Sequence, residues 1–275
     1  MMYFSFLKKT FKFNQSLFFN SRILLCFLII CNLLKTSANE GVPSTPDMEN
    51  LVISVFPQWN IARALRHDSC SPDHAILSDG TQHSPADEKF WPVPGQGGCA
   101  DMNSNSITTY YIKKWCDDND FRVLYTIYFP KDGFYGPDLG HAHDFESIIV
   151  TWKNISGNWY RNELIMSRHH DWRHAPWNSV ASFNYNGTQE GVGFELPKIF
   201  VGWAKHAMFN DKFTEYTNLA AQYTDYEYRS DNYQFWANNS LTEVTDDNWY
   251  GQNFKKYNWG EATPPTDTAQ SLCDK

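Results

Sequence analysis

Between Asp132 and Glu146 the chain sets six potential metal ligands within 15 residues: Asp132, Asp138, His141, His143, Asp144 and Glu146. Three carboxylates and one imidazole converging on a point make a hard, oxygen-rich site. Such a site prefers Mg²⁺, Ca²⁺ or Mn²⁺ to Zn²⁺, and Mg²⁺ or Ca²⁺ is the expected ion ahead of Zn²⁺ or Mn²⁺. If residues 143–147 are extended, Asp144 and Glu146 share a face, because strand side chains alternate with period two. His141 can reach that face, Asp132 can fold back to it, and His143 and Phe145 turn inward. The same acids also read as loop carboxylates paired with Lys131 or Arg122. The metallo-hydrolase pattern H-x-H-x-D-H is absent, as are a G-x-S-x-G elbow, H-E-x-x-H and a phosphate loop. The chain therefore reads as a binding protein and not as an enzyme. A metal-dependent hydrolase with His141 or His143 as base is the remaining catalytic alternative.

Two segments must position this constellation. Arg122 to Phe129 reads as a strand covered on both faces, with Val123, Tyr125, Ile127 and Phe129 on one side and Leu124, Thr126 and Tyr128 on the other. Pro130 is expected to end it, since proline cannot donate to a ladder. Ser147 to Trp152 reads as a second strand, β-branched at Ile148, Ile149, Val150 and Thr151. Short apolar runs follow at Glu163–Met166, Ile199–Trp203 and Tyr233–Trp236. Their spacing predicts an all-β-dominated fold, an antiparallel β-sandwich with a few peripheral helices. His169-His170-Asp171-Trp172-Arg173-His174 is a second polar cluster, read as a solvated loop. His206 reads as a structural histidine, with support of the crevice wall from below, together with Lys205, as the alternative.

The N-terminal residues have the pattern of a secretory leader. Lys8, Lys9, Lys12 and Arg22 precede an apolar run, Ile23 to Leu34, and Thr36-Ser37-Ala38 offers small residues for cleavage. Residues 1–38 are thus read as signal peptide, 39–50 as a loose arm, and 51–275 as one domain of a secreted, extracellular protein, a monomer in solution. Without the leader, 18 Lys plus Arg face 31 Asp plus Glu, a net charge near −13. That excludes nucleic acid as a partner, because phosphate backbones demand basic stripes. It favours cations, or surfaces that a cation can bridge.

Four cysteines remain after the leader: Cys70, Cys99, Cys116 and Cys273. They allow three pairings. Cys70–Cys99 would close the polar, Pro/Gly-rich stretch from about residue 66 to 106, and Cys116–Cys273 would pin the C-terminal segment. A four-cysteine zinc site lacks the short C-x₂₋₄-C spacing it needs. Sequons at Asn154, Asn186 and Asn238 fit glycosylation in a secretory route.

Tyr128-Phe129-Pro130-Lys131-Asp132 followed by Gly140-His141-Ala142-His143-Asp144-Phe145-Glu146 resembles the signature of the necrosis- and ethylene-inducing-peptide-like proteins, whose heptapeptide reads G-H-R-H-D-W-E. Cys70 and Cys99 stand where that family has its disulfide. Trp203-Ala204-Lys205-His206-Ala207-Met208-Phe209 resembles its K-H-x-x-F block, and Trp259-Gly260-Glu261-Ala262 its W-G-x-A stretch. The resemblance implies a β-sandwich similar to actinoporins and fungal lectins, with a divalent cation in an acidic crevice. It implies Asp132, His141, Asp144 and Glu146 as the metal-site residues. The partner it implies is the glycosylated inositol phosphoceramide of plant plasma membranes, which such cytolysins bind and permeabilise. Ala142 stands where the family has Arg, and Phe145 where it has Trp. Losing Arg removes a fixed charge and five donors, which makes a non-cytolytic, lectin-like binding protein the alternative. The spacing from Asp132 to His141 is about one residue longer than usual, so Asp138 is an alternative ligand.

Overall fold

The strand expected over Arg122–Phe129 is the middle of a longer one. In the computed structural model of the protein, residues 48–64, 67–68, 70–91, 93–102, 107–133, 140–169, 171–212 and 228–275 are described. The expected leader, most of the expected arm, Asp138 and His170 lie outside them.

In chain order the elements begin with α1 (Met48–Ile53), β1 (Gln58–Ile61), β2 (Arg63–Ala64), β3 (His67–Asp68), β4 (Thr109–Asp117), β5 (Asp120–Gly133) and β6 (Gly140–Ile155). There follow β7 (Asn158–Arg168), β8 (Asp171–Pro176), β9 (Ala181–Phe183), β10 (Glu190–Val192), β11 (Leu196–Val201) and β12 (Met208–Phe209). The described chain closes with β13 (Tyr233–Trp236), β14 (Leu241–Glu243), α2 (Trp249–Lys256), α3 (Pro265–Thr268) and a 3-10 segment, Ala269–Asp274. Among the described residues one six-stranded sheet runs β14-β4-β5-β6-β7-β8, a second runs β10-β9-β11-β1-β13 with β12 on β11, and β2 and β3 form a separate pair. The two sheets and few helices are those of a β-sandwich.

Alternation along β5 builds both faces. Phe121, Val123, Tyr125, Ile127 and Phe129 join Ile148, Val150 and Trp152 of β6 and Trp59, Ile61, Ile199 and Val201 of the second sheet in the main core. On the other face Leu124, Ile149 and Ile165 pack against Leu272. Tyr128 and Phe145 pack there against Phe254 and Trp259. The helix α2 that supplies Phe254 is capped by Asn248, whose side chain accepts the Gly251 N–H at 2.9 Å. A side chain at Gly251 would stand 1.8 Å from the Thr245 carbonyl oxygen, so only glycine fits that first turn.

Pro130 does not end β5. The ladder pairs Phe129 with Asp144 and resumes at Lys131 with Ala142, Asp132 with His141 and Gly133 with Gly140. Proline forfeits only its own ladder bond, and its carbonyl instead accepts the Ala86 N–H at 2.9 Å. β6 likewise begins seven residues before the expected Ser147, so the heptapeptide is strand and not loop.

Both favoured disulfides, Cys70–Cys99 and Cys116–Cys273, are present. The second ties β4 to the 3-10 segment, and Arg122 reinforces the tie by donating to the Leu272 and Lys275 carbonyls at 3.0 and 2.8 Å. Asp120 is buried, which would raise its pKa, but Arg122 and Lys153 hold it below the ordinary carboxylate value. Of the sequon asparagines, Asn186 and Asn238 are exposed and Asn154 is half-buried at the end of β6. Among the described residues, no helix is long and apolar enough to cross a membrane.

Candidate functional site

Gly140, where β6 begins, brings the two strands closer than any other residue would allow. A Cβ there would meet the Asp132 carbonyl oxygen at 2.2 Å and the Gly133 Cα at 2.9 Å. Three positions on, His143 takes a left-handed conformation, φ 58°. It stands opposite Pro130, the one gap in this stretch of ladder. Strict alternation would put Asp132 outward, since Phe129, three residues earlier, faces the core. The break at Pro130 and His143 resets the phase. Asp132 and His141 thereby join Asp144 on one side.

The third strand of chain to reach this point is the turn after β11. Ala204 and His206 are both left-handed, φ 75° and 59°, and the Ala204 carbonyl accepts the Gly133 N–H at 2.7 Å. Left-handed backbone at non-glycine residues costs of order 1–3 kcal/mol each and persists where the surroundings over-determine it. Here His206 is fully buried, stacked on Phe129 with ring centroids 3.7 Å apart.

Asp132, Asp144 and His206 each offer a ligand atom within 4.8 Å of the others. His206 Nδ1 lies 2.9 Å from Asp144 Oδ2 and 4.0 Å from Asp132 Oδ1. Lys205 Nζ lies 2.7 Å from Asp132 Oδ2, and His141 Nε2 lies 3.6 Å from the same oxygen. Asp132 Oδ1 is buried with no hydrogen-bond partner among the described residues. Burial and the neighbouring Asp144 raise the Asp132 pKa against the pull of Lys205, His206 and His141. Burial would lower the His141 pKa, but the Asp144 and Asp132 charges outweigh it and the net direction is upward. His141 Nδ1 lies 2.8 Å from the His143 carbonyl, to which it donates, leaving Nε2 toward the carboxylates.

The four residues expected at the metal site therefore line one cavity of about 990 Å³, together with Ala142, Phe145, Ser167, His169, Trp172 and Lys205. They do not all converge. Glu146 stands outside the tight triad, with its carboxylate taken by the Ser167 hydroxyl. The group close enough to hold an ion is instead Asp132, Asp144 and His206. Among the described residues, none of these acids pairs with Lys131 or Arg122. Lys131 donates to the Asp87, Glu88 and Phe90 carbonyls, and Arg122 to Asp120. Lys205 is the cation at Asp132 instead.

His143 and Phe145 turn inward as expected. Tyr128 Oη and His143 Nδ1 share a hydrogen bond at 2.7 Å, and Gln82 Nε2 lies 3.4 Å from Nε2 of the same ring. Burial, with His83 and His141 nearby, lowers the His143 pKa to about 4, which keeps the ring neutral. Phe145 meets Trp259 edge-on at 4.9 Å and Tyr128 at 5.1 Å. Of the second polar cluster, His169 and Trp172 line the crevice, while His174 pairs with Glu163 at 3.2 Å.

The sequence model of the family described as "Necrosis inducing protein (NPP1)" matches residues 58–195, half of the chain and the part that carries β1 and both crevice strands. The chain belongs to this necrosis-inducing protein family. Solved structures share the fold of this family member. Necrosis and Ethylene inducing Protein 2, from the causal agent of cocoa's Witches Broom disease, is 18% identical with a TM-score of 0.52 over 86% of this chain and 93% of its own. NLPPya, solved in complex with mannosamine, is 16% identical with a TM-score of 0.52 over 85% and 93%. The non-toxic HaNLP3 protein is 16% identical with a TM-score of 0.50 over 83% and 90%. No curated protein sequence matches the chain.

Proposed function

We propose that this family member is a secreted effector whose crevice holds a divalent cation and, through it, the sugar headgroup of a plant glycosylated inositol phosphoceramide. The observation that carries the reading is the buried pair Asp132 and Asp144, with Asp132 Oδ1 in no hydrogen bond among the described residues, at a cavity large enough for a sugar. Two close carboxylates demand compensating positive charge, of which Lys205 at Asp132 supplies part. The donor set fits a hard cation, with Asp132 and Asp144 as carboxylate ligands, His141 beside them, and His206 as the group that orients Asp144 or binds directly. When bound, Mg²⁺ or Ca²⁺ supplies charge neutralisation and open positions for sugar hydroxyls. The chain's own residues fix the carboxylates, exclude water beneath them and shape the headgroup cavity. NLPPya is solved in complex with the amino sugar mannosamine, which supports a saccharide as the ligand here. Binding and lipid perturbation, without covalent turnover, constitute the activity. Residues 1–38 serve as the leader, and Asn154, Asn186 and Asn238 as glycan acceptors.

Dye leakage from plant plasma-membrane vesicles tests this reading. Leakage is expected with added Mg²⁺ or Ca²⁺, and its loss on adding chelator. Leakage that ignores the chelator would contradict the cation-dependent mechanism. A second reading, a non-cytolytic binding protein of the same fold, is favoured by Ala142, which lines the crevice where the family signature has arginine. It is supported if the headgroup binds and no dose causes leakage.

A further inference from the structure

The loop between Ala86 and Cys99 carries two adjacent exposed aromatic side chains on a backbone held at several points. Phe90 is 45% and Trp91 41% exposed. The Ala86 N–H is held by the Pro130 carbonyl at 2.9 Å, and the Asp87 N–H by the Gly97 carbonyl at 2.5 Å. Gly97 sits left-handed at φ 58°, where a Cβ would strike the Asp87 carbonyl oxygen and Phe90 at 2.9 Å. Val93 is plugged into a buried cluster with Ala62, Trp203 and Ala204. Cys99 closes the loop onto Cys70. Beneath the tip, the fully buried Lys131 donates its ammonium to the carbonyls of Asp87, Glu88 and Phe90. Three carbonyl dipoles on one buried charge fix the backbone that carries the aromatics. The loop is also continuous with the crevice. Glu88 lines the cavity, and its Oε1 accepts the Ala142 N–H at 3.1 Å.

A rigid scaffold that holds Phe and Trp outward beside a headgroup cavity has the chemistry of an interfacial anchor, because aromatic rings settle at the polar–apolar boundary of a bilayer. We propose that Phe90 and Trp91 enter the headgroup region of a bilayer when the crevice engages its sugar, with Lys131 as the residue that positions them. The acidic chain, near −13 without the leader, makes a zwitterionic or cation-bridged surface the fitting partner, not an anionic one. The inference rests on the crevice being a headgroup site, and the test separates the two.

Full-length protein is titrated with phosphatidylcholine vesicles containing glycosylated inositol phosphoceramide, and Mg²⁺ binding is measured by calorimetry in parallel. Phe90→Ser/Trp91→Ser is expected to weaken vesicle binding about tenfold or more with Mg²⁺ affinity unchanged. Phe90→Leu/Trp91→Phe is expected to stay within about threefold of the wild type. Equal vesicle affinity of the serine variant and the wild type would overturn the anchor. So would a wild type that binds Mg²⁺ but not the vesicles, a result that leaves the cation site standing. A wild type without Mg²⁺ affinity would overturn the crevice reading itself, and the anchor that rests on it. Should the serine variant fail to fold, quenching of wild-type tryptophan emission by phosphatidylcholine brominated near the glycerol is the deciding readout. Quenching supports the anchor and its absence overturns it.

Discussion

Asp144→Ala is expected to lower divalent-cation affinity by about two orders of magnitude or more in calorimetric titration, since even partners of metal ligands contribute roughly 10–100-fold. Asp144 is the residue on which the crevice turns. It shares the triad with Asp132 and His206 and lies 2.9 Å from His206 Nδ1. Removing it takes away a carboxylate oxygen and releases the fully buried imidazole from its acceptor. An unsatisfied buried donor costs about 1–3 kcal/mol, so a fall of a few degrees in melting temperature should accompany the loss. Asp144→Asn separates the two effects. The amide oxygen can still accept from His206, so stability should recover while cation affinity stays low. Unchanged affinity in Asp144→Ala would place the cation elsewhere.

Trp259→Ala is expected to cost about 3–5 kcal/mol of stability, the usual penalty for emptying a buried indole site. A loss of that size corresponds to roughly 10 °C in melting temperature for a domain of this length. Trp259 is buried and meets His143 at 5.1 Å, Phe145 at 4.9 Å, Phe254 at 5.7 Å and Tyr128 at 6.0 Å. It therefore backs the part of β6 that carries His141 and Asp144 on its opposite side. The variant should also lose cation affinity, because a cavity behind His143 lets the strand relax. Trp259→Phe should recover more than half of the lost stability by thermal melting. Equal stability of the wild type and Trp259→Ala would show that the indole does not support the strand.

The periodic parts of the molecule were readable from residues alone. Val123, Tyr125, Ile127 and Phe129 alternate against Leu124 and Tyr128, and both sets are buried, each against its own cluster. The disulfide framework was also accessible, because few pairings exist for four cysteines and one pair brackets a segment with little core of its own. The heptapeptide was readable as chemistry but not as shape. Pro130 has a strong local signal to end a strand, and β-pairing with residues 140–142 overrides it at one lost hydrogen bond. The reset of alternation depends on a left-handed His143, and nothing in the residue type announces that conformation.

His206 shows the deeper limit. Its hydrogen-bond partner Asp144 is 62 residues away along the chain, and the left-handed turn that delivers it carries the pairing to Gly133. The only local signal was the Lys205-His206 dipeptide in a block resembling the family pattern, and that signal does not distinguish a wall residue from a site residue. Lys205 was hidden for the same reason. Its pairing with Asp132 follows from tertiary placement, whereas the sequence-adjacent Lys131 is drawn away to three backbone carbonyls.

The most direct measurement of the central claim is an anomalous-difference map from crystals of this protein soaked in MnCl₂, with Mn²⁺ standing in for the physiological hard cation. The account predicts one strong peak in the crevice, within about 2.0–2.6 Å of oxygens of both Asp132 and Asp144, and its disappearance in Asp144→Ala. A crevice without a peak, with the Lys205 ammonium still seated on Asp132, would contradict it.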